Sequence, residues 1–241
     1  MFAHLRHILL VAVLAGLMAG LVATAGHQLS TVPTILAAEV YEQAAEPAAA
    51  APPHDHAAAG TEAGHDHAAA WEPRDGLERT LYTLLADVLT GVAYALMLGA
   101  AISLRGQPVD GRQGLLWGLA GFAVFTLAPS IGLPPEPPGM PVADLTARQL
   151  WWVATAALTT LGLGLVLLGR RPLPALLGVV LLVLPHLYGA PLAPEETSAV
   201  PEALIHRFVT EVMVVSLLFW ATLGLALGAL HARFRPRAAL A

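Results

Sequence analysis

Six long runs almost free of charge constrain this chain more than any other feature. Ile8 to Gly26 carries no charged residue, the stretch between Arg79 and Arg105 holds only Asp87, and none lies between Arg112 and Glu136. Arg148 and Arg170, Arg171 and Glu195, and Glu211 and Arg233 bracket three more. A helix needs roughly 20 apolar residues to cross a hydrocarbon core of about 30 Å, so each run is a span. With 56% of its 241 residues hydrophobic and 12% charged, the chain has too little polar surface to face water on all sides. The expected fold is all-α: a polytopic integral membrane protein, one membrane domain over 1–241 with about six transmembrane helices in a bundle. The spans fall near 7–28, 79–104, 113–132, 149–169, 173–189 and 208–231. The fifth is the shortest, because Pro172 and Pro174 can open a helix but Pro185 should kink or end it.

Arginine placement sets the expected orientation, since basic loops remain in the cytoplasm. With both termini inside, Arg6, Arg105, Arg112, Arg170, Arg171, Arg233, Arg235 and Arg237 are cytoplasmic, and nearly all acidic residues fall outside. The same pattern predicts Trp71, Trp151 and Trp152 at the outer interface. The opening segment, with Arg6 before the apolar run and Ala23-Thr24-Ala25 after it, also has the form of a cleavable export signal. It is long for one, and cleavage would leave the downstream orientation unchanged. Gly16 and Gly20, Gly114 and Gly118, and Gly224 and Gly228 form small-xxx-small pairs suited to close helix packing.

Cysteine is absent and all twelve basic residues are arginine. That excludes thiolate sites, Schiff-base chemistry and the phosphate-gripping lysine of a nucleotide-binding loop in this chain. No His-Glu-x-x-His or Gly-x-Ser-x-Gly pattern occurs, so an enzyme is not expected, and no nucleic-acid partner is expected either.

Two groups of residues point to metal chemistry. The segment 39–75 reads as a flexible, His-rich outer loop, with His54-Asp55-His56 and His65-Asp66-His67 as two identical triplets. Together His54, His56, His65 and His67 supply four imidazoles to capture a divalent ion, although an Ala/His-biased tract can also bind metal incidentally. The second group lies in or beside the membrane, where ionisable groups are costly and usually functional. Asp87 sits within the second span, His186 beside Pro185, and His206 and Glu211 at the start of the last span, with His27 and Gln28 closing the first. Asp87, His186, His206 and Glu211 form the expected translocation site; a structural ion pair of Asp87 with Arg79 is the competing account. Met18 and Met97 read as packing residues.

Further residues carry a resemblance. Glu39-Val40-Tyr41-Glu42, the His-rich loop, Trp71-Glu72-Pro73 leading to Gly76-Leu77-Glu78-Arg79-Thr80, Leu133-Pro134-Pro135-Glu136 and Pro138-Gly139-Met140 occur in that order. Arg148-Gln149-Leu150-Trp151-Trp152, Leu184-Pro185-His186, and Val200-Pro201 before Arg207-Phe208 follow. Over nearly its whole length the chain resembles the CbtA-type predicted cobalt transporter subunits of bacteria. The resemblance implies uptake of cobalt for cobalamin synthesis, alongside a small one-span companion with its own His-rich tail. Such proteins are commonly described with five spans rather than six.

The function expected is therefore uptake of a divalent transition-metal cation through the bacterial inner membrane, with no permanently bound cofactor. The transported ion is cobalt by resemblance; ligand chemistry alone leaves nickel, zinc and copper open. The alternative is a membrane-anchored sensor or chaperone that binds metal without moving it.

Overall fold

The computed structural model describes residues 2–49, 73–169, 171–194 and 198–234, with side chains over 5–44 in the first segment. Among these residues every regular element is a helix: α1 (Phe2–Gly26), α2 (Val32–Ala49), α3 (Leu77–Arg105), α4 (Gly111–Phe122), α5 (Ala128–Gly132), α6 (Leu145–Leu168), α7 (Pro172–Tyr188) and α8 (Glu202–Arg233). Wide π-helical turns, His27–Thr31 and Ala123–Leu127, join α1 to α2 and α4 to α5 without a break. The chain is an all-α polytopic membrane protein. Five helices are long and apolar enough to cross a membrane: Leu5–Ala44, Leu77–Arg105, Gly111–Gly132, Leu145–Leu168 and Glu202–Arg233. Pro172–Tyr188 is apolar but has only 17 residues, about 25 Å of helix. Pro185 stays inside α7, which ends one turn later with the Gly189 N–H donating to the Pro185 carbonyl at 3.1 Å.

Both π turns have a proline two residues beyond them, Pro33 and Pro129. A proline ring collides with the carbonyl four residues back and offers it no N–H. One extra residue in the preceding turn relieves both problems: the Val32 N–H reaches the His27 carbonyl, and that of Ala128 the Ala123 carbonyl.

The first helical rod continues well past the expected span. Residues 39–49 are helical where the sequence reading places loop, because alanine and glutamate are strong helix formers and tertiary contacts hold the rod. Arg79 Nη1 donates to Glu39 Oε1 at 3.1 Å, and Gly139 closes on Glu42. At about 70 Å the rod is more than twice as long as the hydrocarbon core is thick. The His triplets lie outside the described residues.

Glycines decide how the helices meet. In each antiparallel pair α1–α3, α4–α8 and α6–α7, the backbones touch where side chains are missing: Gly16 against Gly91 and Val92, Gly114 and Gly118 against Gly224 and Gly228, and Gly162 against Gly178. A Cβ at any of these eight glycines would run into the facing helix. α1 also packs on α8, burying Val11, Ala15, Ala19, Val215, Phe219 and Leu223 between them and their neighbours. Trp220 fills the middle, stacked on Phe125 with its Nε1 donating to Thr126 Oγ1 at 3.3 Å. α6 and α7 form a hairpin that joins this four-helix core through the second π turn and α5.

Candidate cation site

The first π turn positions the site. Thr24 Oγ1, one turn before it, lies 2.7 Å from Asp87 Oδ2 and 3.0 Å from the Gly20 carbonyl; its single proton has the charged oxygen as the nearer acceptor. Thr34 Oγ1, just beyond the turn, does the same for α8, donating to Glu211 Oε2 at 2.6 Å. Both threonines are buried, at 8% and 1% exposure, so each replaces solvent for a carboxylate. One helix therefore grips acidic groups from two neighbours on either side of its wide turn.

His27 stands between them. Its Nδ1 is 2.8 Å from Thr31 Oγ1, and that hydroxyl faces the His27 carbonyl at 3.4 Å. If Thr31 donates to the carbonyl, it accepts from Nδ1–H, which leaves the Nε2 lone pair aimed outward. Nε2 is 3.8 Å from Asp87 Oδ1, and the two side chains are 29% and 18% exposed. That gap is too long for a hydrogen bond. Two ligands each about 2.1 Å from one ion stand roughly 3.0–3.4 Å apart, so a small closure admits a divalent cation between them. The next residue along the helix, Gln28, has a buried Nε2 with no hydrogen-bond partner among the described residues.

The other predicted site residues occupy the same end of the bundle without sharing one coordination sphere. Glu211 is paired with Arg207 at 2.7 Å as well as with Thr34. His206 is exposed on α8. His186 belongs to the α6–α7 hairpin, where its ring lies edge-on to Trp151 with centroids 6.2 Å apart. Among the described residues no three His, Asp or Glu side chains converge on a point, so a cation between His27 and Asp87 would complete its shell with water. Arg79 is engaged by Glu39 and Asp75, at 3.1 and 3.0 Å, rather than by Asp87. Its competing claim on Asp87 is thus not met.

Sequence reasoning missed Thr24, Thr31 and Thr34. The available signal was Pro33 within an apolar helical run, with Thr31 two residues before it, Thr34 next to it and Thr24 further back on the same rod. It also placed Trp151 at the interface, whereas Trp151 is 7% exposed and packs on Gly132 and His186. Trp151 Nε1, Thr155 Oγ1, Thr159 Oγ1 and His186 Nδ1 are buried without partners among the described residues.

Comparison with known proteins decides the family. A family model described as "Probable cobalt transporter subunit (CbtA)" matches residues 5–232. The chain belongs to the CbtA family. No curated protein and no solved structure matches it. As a CbtA chain it is a membrane protein of a probable cobalt transporter, and as a subunit it has a protein partner.

The π turn is testable apart from the ligands it carries. Thr24–Asp87 and Thr34–Glu211 straddle it, so removing its extra residue would rotate one contact away from the other by about 100°. Pro33→Ala restores the missing donor and permits an unbroken α-helix. We expect thermal stability to change by no more than about 2 kcal/mol while cobalt uptake falls about tenfold. Equal uptake by variant and parent would show that the turn serves no purpose in transport.

Proposed function

We propose that this CbtA chain carries divalent transition-metal cations across the bacterial inner membrane toward the cytoplasm, cobalt foremost. The observation that carries the reading is the His27–Asp87 pair, an imidazole nitrogen and a carboxylate 3.8 Å apart inside the bundle. Nitrogen and oxygen donors with open positions suit a cation that keeps part of its water shell. With the termini in the cytoplasm and the His-rich loop outside, as the arginine bias favours, the ion meets His54, His56, His65 and His67 first. It then reaches the Asp87 layer, to which Glu211, His206 and His186 contribute along the entry side. An inside-negative potential of about 100 mV favours entry of a double charge by roughly 4.6 kcal/mol, so no nucleotide is needed. The partner subunit is a small one-span protein with a His-rich tail. No covalent step is involved, and the chain is not an enzyme.

Reconstitution tests the proposal and separates it from a sensor or chaperone. Liposomes containing the chain with its partner subunit, under an inside-negative potential, should accumulate Co2+ faster than empty ones, with Ni2+ and Zn2+ as competitors. Binding without accumulation would overturn transport in favour of the sensor reading. The loop has its own expected result. Replacing His54, His56, His65 and His67 together by alanine should raise the Co2+ concentration for half-maximal uptake about tenfold, or about 1.4 kcal/mol. The maximal rate should be kept.

A further inference from the structure

At the end of α1 remote from Asp87, His7 Nε2 lies 3.3 Å from His231 Nδ1 of α8. The rings are tilted by 60° with centroids 5.1 Å apart, and His7 is 9% exposed. We propose that His7 and His231 form a second metal site, a two-imidazole ligand pair through which a divalent cation leaves the bundle; the exit role rests on the transport reading above, the binding does not.

Three observations carry it. The first is the bite. Two nitrogens bound at about 2.05 Å to one tetrahedral ion stand about 3.3 Å apart, the separation found here. The second is room on the His231 side of the pair: a cavity of about 10 Å³ lined by His231, Ser103, Gly99, Ile102 and Leu227 among others, though not by His7. That is the volume of one water-sized occupant, and the Ser103 hydroxyl or a water would add oxygen ligands. The third is position. His7 and His27 are 20 residues apart on one helix, and Glu211 and His231 are 20 apart on α8. Twenty residues rise about 30 Å, the thickness of the hydrocarbon core. The α1–α8 seam therefore carries metal-ligating groups at both membrane faces, with Val11, Ala15, Ala19, Val215 and Leu223 buried between.

A hydrogen bond between two neutral imidazoles has the same length, so the test must separate a shared proton from a shared metal. The full chain bearing His54, His56, His65 and His67→Ala is purified and titrated with Co2+, followed by visible absorption and metal analysis. One equivalent with the intense spectrum of four-coordinate Co2+ is expected. In this background His7→Gln and His231→Gln retain a hydrogen-bonding side chain but no imidazole; each should weaken that equivalent tenfold or more and remove the spectrum. Asp87→Asn should leave it in place. Unchanged spectra and affinity in both Gln variants, with parental melting temperatures, would overturn the site. If either variant does not fold, the loop-substituted parent is loaded with Cu2+, which binds such ligands more tightly, and treated with ascorbate. Metal-directed oxidation at His7 and His231, mapped by mass spectrometry, supports the pair, and its absence from both overturns it. Binding is read without transport, so failure of Co2+ to enter liposomes would remove the exit role and leave the site standing.

Discussion

Gly114→Leu will leave little folded protein in the membrane. A Cβ at Gly114 meets the Gly224 carbonyl and the Gly228 backbone; one at Gly224 meets the Gly114 carbonyl and Gly118. The obstruction is main chain on both sides, so no rotamer change relieves it, and α4 must lift off α8. Overpacking commonly costs 1–3 kcal/mol when side chains can give way. With backbone in the way the expected loss is about 3 kcal/mol or more, a large part of the stability of a domain. Gly164→Leu is the control, since a Cβ there meets nothing within 4 Å, and should change stability by less than about 0.5 kcal/mol. Yield of monodisperse protein and thermal unfolding in detergent measure both. Equal behaviour of the two variants would mean that α4 and α8 do not meet on their glycines.

Asp87→Asn will reduce cobalt uptake to near background while the protein stays folded. Asparagine keeps the size of the side chain and an oxygen to accept from Thr24 Oγ1, now 2.7 Å from Asp87 Oδ2. What disappears is one negative charge on a side chain only 18% exposed. A single charge attracts a divalent ion at 4 Å by about 8 kcal/mol at an effective dielectric of 20, and the cost of dehydrating the ion cancels much of this. A residual loss of about 3 kcal/mol is a hundredfold drop in occupancy. Uptake of radiolabelled Co2+ at fixed expression is the measurement, with Asp87→Glu expected to retain part of the activity. Parental uptake by Asp87→Asn would remove the His27–Asp87 pair from the transport path.

The individual residues show why part of this was legible and part was not. Asp87 stands out in the chain because a lone carboxylate in an apolar run has few tolerable environments. His27 was visible as a polar residue at the end of a span. Their pairing was not, because it depends on which face of α3 turns to α1, and that is set by Gly16 and Gly20 against Gly91 and Val88. Thr24 and Thr34 look like ordinary helical threonines bonded to the carbonyl four residues back; only Asp87 and Glu211 arriving from other helices redirect them. His186 and Glu211 both stand at ends of spans in the sequence, yet α7 packs on α6, away from α1 and α8.

Hydropathy and charge by themselves determined that this chain is a helical membrane protein, because a bilayer accepts only segments whose backbone groups are satisfied internally. They also singled out the residues too polar to lie there without a purpose. Tertiary structure alone decided that a wide turn before Pro33 lets one helix hold Asp87 and Glu211 at once, and that His7 meets His231 224 residues further along. The reason is physical: lipid sorts residues by depth, a one-dimensional property readable along the chain. Contact between helices depends on rotation about their axes, which is fixed only when glycine meets backbone.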